Sequence, residues 1–385
     1  MSSSYRRLLR PPDGSFFLFG VRGVGKSTWA RTHFPEAPRI DLLDEGRYQA
    51  LLADPSLFGG EMRALPRANL VIVDEVQRLP ALLNEVHRQI EERGLRFVLL
   101  GSSARKLKGA GTNLLAGRAL WKTMYPLLPA ELGADFALDR VLRYGSIPLV
   151  WNAAQPRETL EAYVQLYLRE EIKAEALVRN LPGFARFLPI AAMFHGQTIN
   201  VSGIARDAGT ARTTVAGYLD ILDDTLLTFR LPGFEPRLRV RERKQPKLYW
   251  VDPGLVRGVK KQLGPVTAEE SGVLLEGWVL TLLRAYAAEG TLYDDIHYWS
   301  PTQARRTEVD FLLRRGSELL ALEVKSSRRF SRSWLSGLTA IGELERVARR
   351  AIVYSGSERL ETDEGIEVWP VDSFVERLDA GRLWP

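Results

Sequence analysis

The chain has no cysteine in its 385 residues. A disulfide framework and a thiolate metal site are excluded, and a reducing, cytoplasmic setting is expected. Histidine is scarce, 4 in all, and His297 has no paired partner in sequence, so it reads as structural or solvent-exposed. No stretch approaches the ~20 apolar residues that cross a bilayer. The opening "MSSSYRRLLRPPDGS" lacks the apolar core of a signal peptide. No membrane association is expected. What is present is a globular composition, 45% hydrophobic and 26% charged. The length suits about two or three domains. The net charge of +6 permits a polyanionic partner without requiring one.

The chain reads as segments 1–130, 131–260 and 261–385. In the first, "SFFLF" (15–19) has the composition of a short buried strand. It runs into "GVRGVGKST" (20–28), which fits G-x-x-x-x-G-K-[ST] at Gly20, Gly25, Lys26 and Ser27. Such a P-loop turns backbone N–H groups around a phosphate and aims the positive end of the next helix at it. Gly20, Gly23, Gly25, Lys26, Ser27 and Thr28 are the expected ATP-binding residues. Lys26 would meet the β- and γ-phosphates, and the Ser27 hydroxyl would ligate Mg2+.

"NLVIVDEVQ" (69–77) is an apolar run ending in Asp74 and Glu75. Continuous apolarity suits a parallel strand buried on both faces, whose C-terminal carboxylates emerge where ligands sit. Asp74 is expected to hold Mg2+ through water, and Glu75 to polarise the attacking water. "RFVLLGSSARK" (96–106) ends in Ser102 and Ser103, which either touch the γ-phosphate or attacking water or simply cap the strand. Arg118, in "LLAGRALWKTMYPL" (114–127), is a candidate finger for a neighbouring subunit's nucleotide or a surface arginine. The finger reading implies a homo-oligomer such as a hexameric ring.

Together, "GVRGVGKST", "VIVDEVQRLP", "LLGSSARKL" and "LLAGRAL" resemble the AAA-type P-loop ATPases of bacteria and archaea that are fused to a C-terminal domain of unknown function, DUF4143. The resemblance covers nearly the whole chain. It implies ATP binding and hydrolysis and a role linked to DNA.

In the middle segment, "DRVLRYGSIPLV" and "ETLEAYVQLYLREEIKAEAL" have helical spacing and read as the ATPase's lid and linker. "VSGIARDAGTARTTVAGYLDIL" (201–222) has helix-turn-helix spacing. Ala205 is the small residue of a first helix, Gly209 sits at the turn, and Val215 and Leu219 face inward from a second. Thr210, Arg212 and Thr213 stand at the start of that second helix, suited to phosphate and base-edge contacts. A module for protein contacts is the alternative. "EPRLRVRERKQPKLYW" (235–250) then alternates Arg237, Arg239, Arg241 and Arg243, on one face of a strand, before Lys244 and Lys247. A basic β-wing after a helix-turn-helix binds phosphate. A charged edge strand that blocks aggregation has the same pattern. The expected partner is DNA, duplex or branched.

"EVDFLLRRGSELLALEVKS" (308–326) sets Glu308, Asp310, Glu323 and Lys325 into an apolar hairpin. Ionised groups are costly there unless paired or ligated. A two-residue turn at Arg315-Gly316 places Glu308 opposite Glu323 and Asp310 opposite Ala321. The charges then share one face, with Leu320, Leu322 and Val324 on the other. Crowded carboxylates repel, and Mg2+, which prefers oxygen ligands, would resolve that. Lys325 would hold and activate a water. This is the D…E-x-K arrangement of the PD-(D/E)XK nucleases, which cut phosphodiester bonds. That resemblance implies a further Glu from a preceding helix, and Glu276 is the lone acid of "GVLLEGWVLTLLRAY" (272–286). Glu276, Asp310 and Glu323 are thus the expected metal ligands.

The expected fold is α/β: an N-terminal P-loop AAA+-type ATPase, a helical lid plus winged helix, and a restriction-endonuclease-like C-terminal domain. The expected function is ATP-dependent DNA processing with a metal-dependent nuclease-like domain. Two alternatives stand: a DNA remodeller whose nuclease fold only grips DNA, and an ATP-gated switch that contacts proteins.

Overall fold

In the computed structural model, residues 5–103, 105, 115, 117–167, 181–234, 245–290, 292–301, 307–343 and 346–385 are described. The strands β1 (Ser15–Phe19), β2 (Arg39–Asp41), β3 (Leu70–Asp74), β4 (Arg96–Gly101) and β5 (Ala119–Thr123) form a parallel sheet in the order β2-β3-β4-β1-β5. Every residue of β1 and β3 is buried. That burial is why both read as unbroken apolar runs. The P-loop leaves the C-terminal end of β1, and Asp74 and Gly101 end β3 and β4 beside it.

Beyond the sheet the chain turns helical, at Leu138–Tyr144, Pro148–Trp151 and Pro156–Ala162. The expected lid helix passes into a π-helical turn at Tyr163–Tyr167, and the rest of its pattern (168–180) lies outside the described residues. The pair expected at 201–222 forms as helices Val201–Asp207 and Arg212–Asp224. The Thr210 amide closes the turn by donating to the Ala205 carbonyl at 3.0 Å. Ala205, Val215 and Leu219 are buried, while Arg212 and Thr213 are exposed. Strands β6 (Gln197–Thr198), β7 (Thr228–Leu231) and β8 (Lys247–Trp250) complete an antiparallel sheet in the order β6-β8-β7. Arg237, Arg239, Arg241, Arg243 and Lys244 lie outside the described residues, in the connection from β7 to β8.

The C-terminal sheet is mixed. Strands β9 (Asp295–Trp299), β10 (Val309–Arg315), β11 (Glu318–Lys325), β12 (Val347–Tyr354), β13 (Leu360–Glu361) and β14 (Glu367–Pro370) run in the order β13-β14-β12-β11-β10-β9. The long helix Ala268–Glu289 starts with a capping box between Thr267 and Glu270. Its Leu274, Leu275, Trp278 and Leu282 share one core cluster with Phe311, Leu320, Leu322 and Val324. That cluster extends back to Phe16 and Leu18 of β1. Leu312 and Ala321 pack on the opposite side, with Leu338, Ile341 and Tyr354. No helix among the described residues is long and apolar enough to cross a membrane.

The hairpin register differs from the expected one. Arg315 pairs with Glu318, Leu312 with Ala321 and Phe311 with Leu322, so the turn is Gly316-Ser317. Asp310 therefore meets Glu323, not Ala321. A shift of this kind moves both strands by an even step, so each side chain keeps its face. Both sides of the hairpin pack in apolar cores, so hydrophobic alternation alone did not set the register.

Candidate functional site

The loop at 20–25 is shaped by its glycines. Gly23 and Gly25 have φ of 74° and 97°, a region that favours glycine. A Cβ on Gly20 would lie 2.6 Å from the Met124 carbonyl oxygen, so no side chain fits there. Lys26 is buried at the start of the helix Lys26–His33, and its Nζ donates to the carbonyls of Gly20 at 2.7 Å and Val21 at 3.3 Å. Ser27 is half-buried behind it, and Thr28 is exposed. Arg7 braces the loop from outside: Nη1 donates to the Val24 carbonyl at 2.7 Å, and Nε lies 3.0 Å from Glu131. No motif in the sequence marked Arg7.

Asp74 is buried at the end of β3. Its Oδ2 is paired with Arg39 of β2, and its Oδ1 is buried with no hydrogen-bond partner. Glu75 follows with φ of 57°, in the left-handed region. A non-glycine residue held there costs about 1–3 kcal/mol, a strain that clusters at functional sites. Its Oε2 accepts from Gln77 Nε2, and Ser102 Oγ lies 3.4 Å from the same oxygen. Ser103 turns away, its Oγ accepting from the Arg105 amide at 3.2 Å, so it caps the strand end. Gln77 is another residue that sequence reasoning missed. Its signal was in the "DEVQ" quartet, but only the fold brings it against β4.

Arg118 is exposed and paired with Glu91 of the helix Leu82–Arg93. It precedes β5, whose Ala119 aligns with Ser15 and Thr123 with Phe19. Arg118 therefore sits at the N-terminal edge of the sheet, opposite the P-loop. Five residues of strand at ~3.3 Å each separate the two edges. It has no place in its own chain's phosphate site, so a finger role has to be in trans.

The C-terminal charges gather around an unexpected partner. The Asp310 amide lies 3.3 Å from Glu323 Oε2, and Asp310 Oδ2 accepts from the Val324 amide at 2.8 Å. Lys325 donates to Glu323 Oε1. Glu276, on the long helix, accepts from the Tyr249 hydroxyl. Lys247 of β8 lies 3.5 Å from Glu276 and is also paired with Glu308. Lys247 is 5% exposed, which corrects its reading as part of the phosphate-binding wing. Burial, and then the Asp310 carboxylate, push Glu276 up to about 7 and Glu323 up to about 8. Burial opposes the charge of both lysines. The carboxylates around them outweigh it and raise both. Among the described residues, no group of at least three Asp, Glu or His side chains is disposed to hold a metal ion. The donors on Asp310, Glu323 and Glu276 are already protein groups. The expected metal ligands are thus brought together, but as a lysine-balanced cluster. His297 is half-buried, with Nδ1 3.3 Å from Asp295.

Residues 13–133 match the family described as AAA domain, 135–264 a domain of unknown function, DUF8612, and 271–374 another, DUF4143. Uncharacterized proteins of Mycobacterium tuberculosis and Mycobacterium bovis are each 29% identical over 370 residues, covering 93% of this chain and 80% of theirs. A structure of the Aeropyrum pernix ORC1 protein in complex with DNA is 15% identical, with a TM-score of 0.27, over 66% of this chain and 87% of that one. The similarity to an AAA domain thus spans residues 13–133, and that to DUF4143 residues 271–374.

Proposed function

We propose that this protein is an ATP-dependent DNA-binding ATPase whose C-terminal sheet grips nucleic acid through a nuclease-like face. One observation carries the ATPase part. A glycine cradle, a buried lysine and the acidic pair Asp74–Glu75 meet at one edge of a parallel sheet. ATP with Mg2+ suits these groups. Asp74 Oδ1, buried and without a partner, is the kind of oxygen that a hydrated cation satisfies. Ser27 and Asp74 would hold the ion, which neutralises phosphate charge when bound. Lys26 would exchange the carbonyls of Gly20 and Val21 for phosphate oxygens, a stronger, charge-assisted pairing. Glu75 would orient and polarise the attacking water. Gly23, Gly25 and Thr28 shape the loop and its helix. Arg118 would complete a neighbour's site in a homo-oligomer.

The DNA part is supported by exposed Arg212 and Thr213, with Thr210 beside them, at the start of a helix whose turn and core residues have helix-turn-helix roles. The arginines 237, 239, 241 and 243 precede β8 in sequence. A second reading is metal-dependent cleavage, favoured by Asp310 and Glu323 meeting across the hairpin next to Lys325. In the arrangement seen, Lys325 pairs with Glu323, and Lys247 with Glu276 and Glu308.

Two measurements test the proposal. Glu75→Gln keeps the shape and removes the base, so ATP binding should persist while turnover falls by roughly 100-fold or more. Equal turnover would remove Glu75 from the chemistry. Duplex DNA affinity should fall steeply with salt, and replacing Arg237, Arg239 and Arg241 together should flatten that slope by about three phosphate contacts. A slope that does not change would take the wing off the phosphates.

A further inference from the structure

We infer that Gln77 is a positioning residue that ties the Glu75 carboxylate to Ser102, joining the ends of β3 and β4 across the phosphate site. The inference rests on the ATPase reading above. Gln77 is 3% exposed, in the single turn Val76–Arg78. The Arg78 amide closes that turn on the Glu75 carbonyl at 2.9 Å. Gln77 Nε2 donates to Glu75 Oε2 and to Ser102 Oγ, the latter at 3.0 Å. With Ser102 Oγ 3.4 Å from Glu75 Oε2, the three side chains close a triangle.

The other end of the carboxamide shows what this arrangement sacrifices. Gln77 Oε1 is buried and has no hydrogen-bond partner. A buried acceptor left unmade costs about 1–3 kcal/mol. Turning the amide over would aim Oε1 at the Glu75 carboxylate, a repulsive contact, so the orientation follows from the network. The carboxamide also needs the space behind it. A Cβ on residue 101 would lie 2.7 Å from Oε1, and Gly101 removes that obstacle. A polar residue that merely filled space would turn its acceptor toward a donor. Gln77 instead spends both Nε2 hydrogens on Glu75 and Ser102.

The device has a chemical purpose in a phosphate site. A glutamate has several free torsions, and a general base acts only within hydrogen-bond reach of its proton. The strained backbone of Glu75 sets its direction, and Gln77 removes the remaining freedom. Ser102 makes the tether sensitive to whatever occupies the end of β4.

The test uses the full chain, with ATP turnover and titration of a fluorescent ATP analogue read side by side. Gln77→Leu removes both donated bonds at similar volume. It should lower kcat by roughly 10- to 100-fold, as expected for a misplaced base, and leave nucleotide affinity within about 2-fold. Gln77→Glu keeps the shape but sets a second carboxylate against Glu75. It should move the acidic limb of the kcat–pH profile to higher pH, because like charges hold each other protonated. If Gln77→Leu fails to fold, the pH profile of the isosteric Gln77→Glu decides. A parental or raised kcat in Gln77→Leu, a raised KM alone, or an unshifted profile in Gln77→Glu overturns the positioning role. A parent chain that binds no nucleotide overturns the ATPase reading itself, and this inference with it.

Discussion

Replacing Lys247 with alanine is expected to destabilise the protein by about 3–5 kcal/mol, the cost of leaving buried charge without its partner. Lys247 is nearly enclosed, lies against Glu276 and Glu308, and sits 5.4 Å from the centre of the Tyr298 ring. Glu276 has no other cation within ion-pair distance among the described residues. The loss should depend on pH. Burial and then Asp310 hold Glu276 near 7 and Glu323 near 8, above the usual 4.5. Groups raised in the fold stabilise it below their unfolded value, and that contribution is lost as pH rises through the folded one. The deficit of Lys247→Ala should therefore be largest near pH 8 and shrink toward pH 5. Denaturant midpoints of parent and variant at those two pH values measure it. A deficit under about 1 kcal/mol, or one that grows in acid, would mean that Lys247 is not the counterion. The same variant separates the two readings of the C-terminal domain. If its carboxylates form a cation site, Mn2+ should restore stability to Lys247→Ala and do little for the parent.

Replacing Lys26 with alanine should lower nucleotide affinity by roughly 100-fold, since charge-assisted bonds contribute about 1.5–3 kcal/mol each. The effect on folding should be small by comparison. The ammonium donates to the carbonyls of Gly20 and Val21, which can turn to water once it is gone. Titration with a fluorescent nucleotide, alongside a thermal melt, separates the two. Parental affinity in Lys26→Ala would mean that the loop does not hold phosphate.

These two lysines were not equally legible. Lys26 belongs to a cradle made from consecutive residues, mostly from backbone, so its pattern survives any change in the surroundings. Lys247 looked like the end of a basic run, because in sequence its neighbours are Arg243 and Lys244. Its real neighbours, Glu276 and Glu308, lie on a distant helix and hairpin. Gln77 and Arg39 were missed for the same reason. Each takes its meaning from an adjacent strand, β4 for Gln77 and β3 for Asp74's partner.

The amino-acid pattern alone determined the local matters: which runs are buried strands, where the glycine loop lies, and which residues pack inside the paired helices. Each follows from a short period or a backbone requirement that neighbouring residues satisfy among themselves. Only the tertiary structure decided the hairpin register, the isolation of Arg118 from its own P-loop, the tether of Glu75 and the balancing of the C-terminal carboxylates by Lys247. Burial brings charges into low dielectric, and there the group that happens to lie within hydrogen-bond reach sets the chemistry, however far away it stands in the chain.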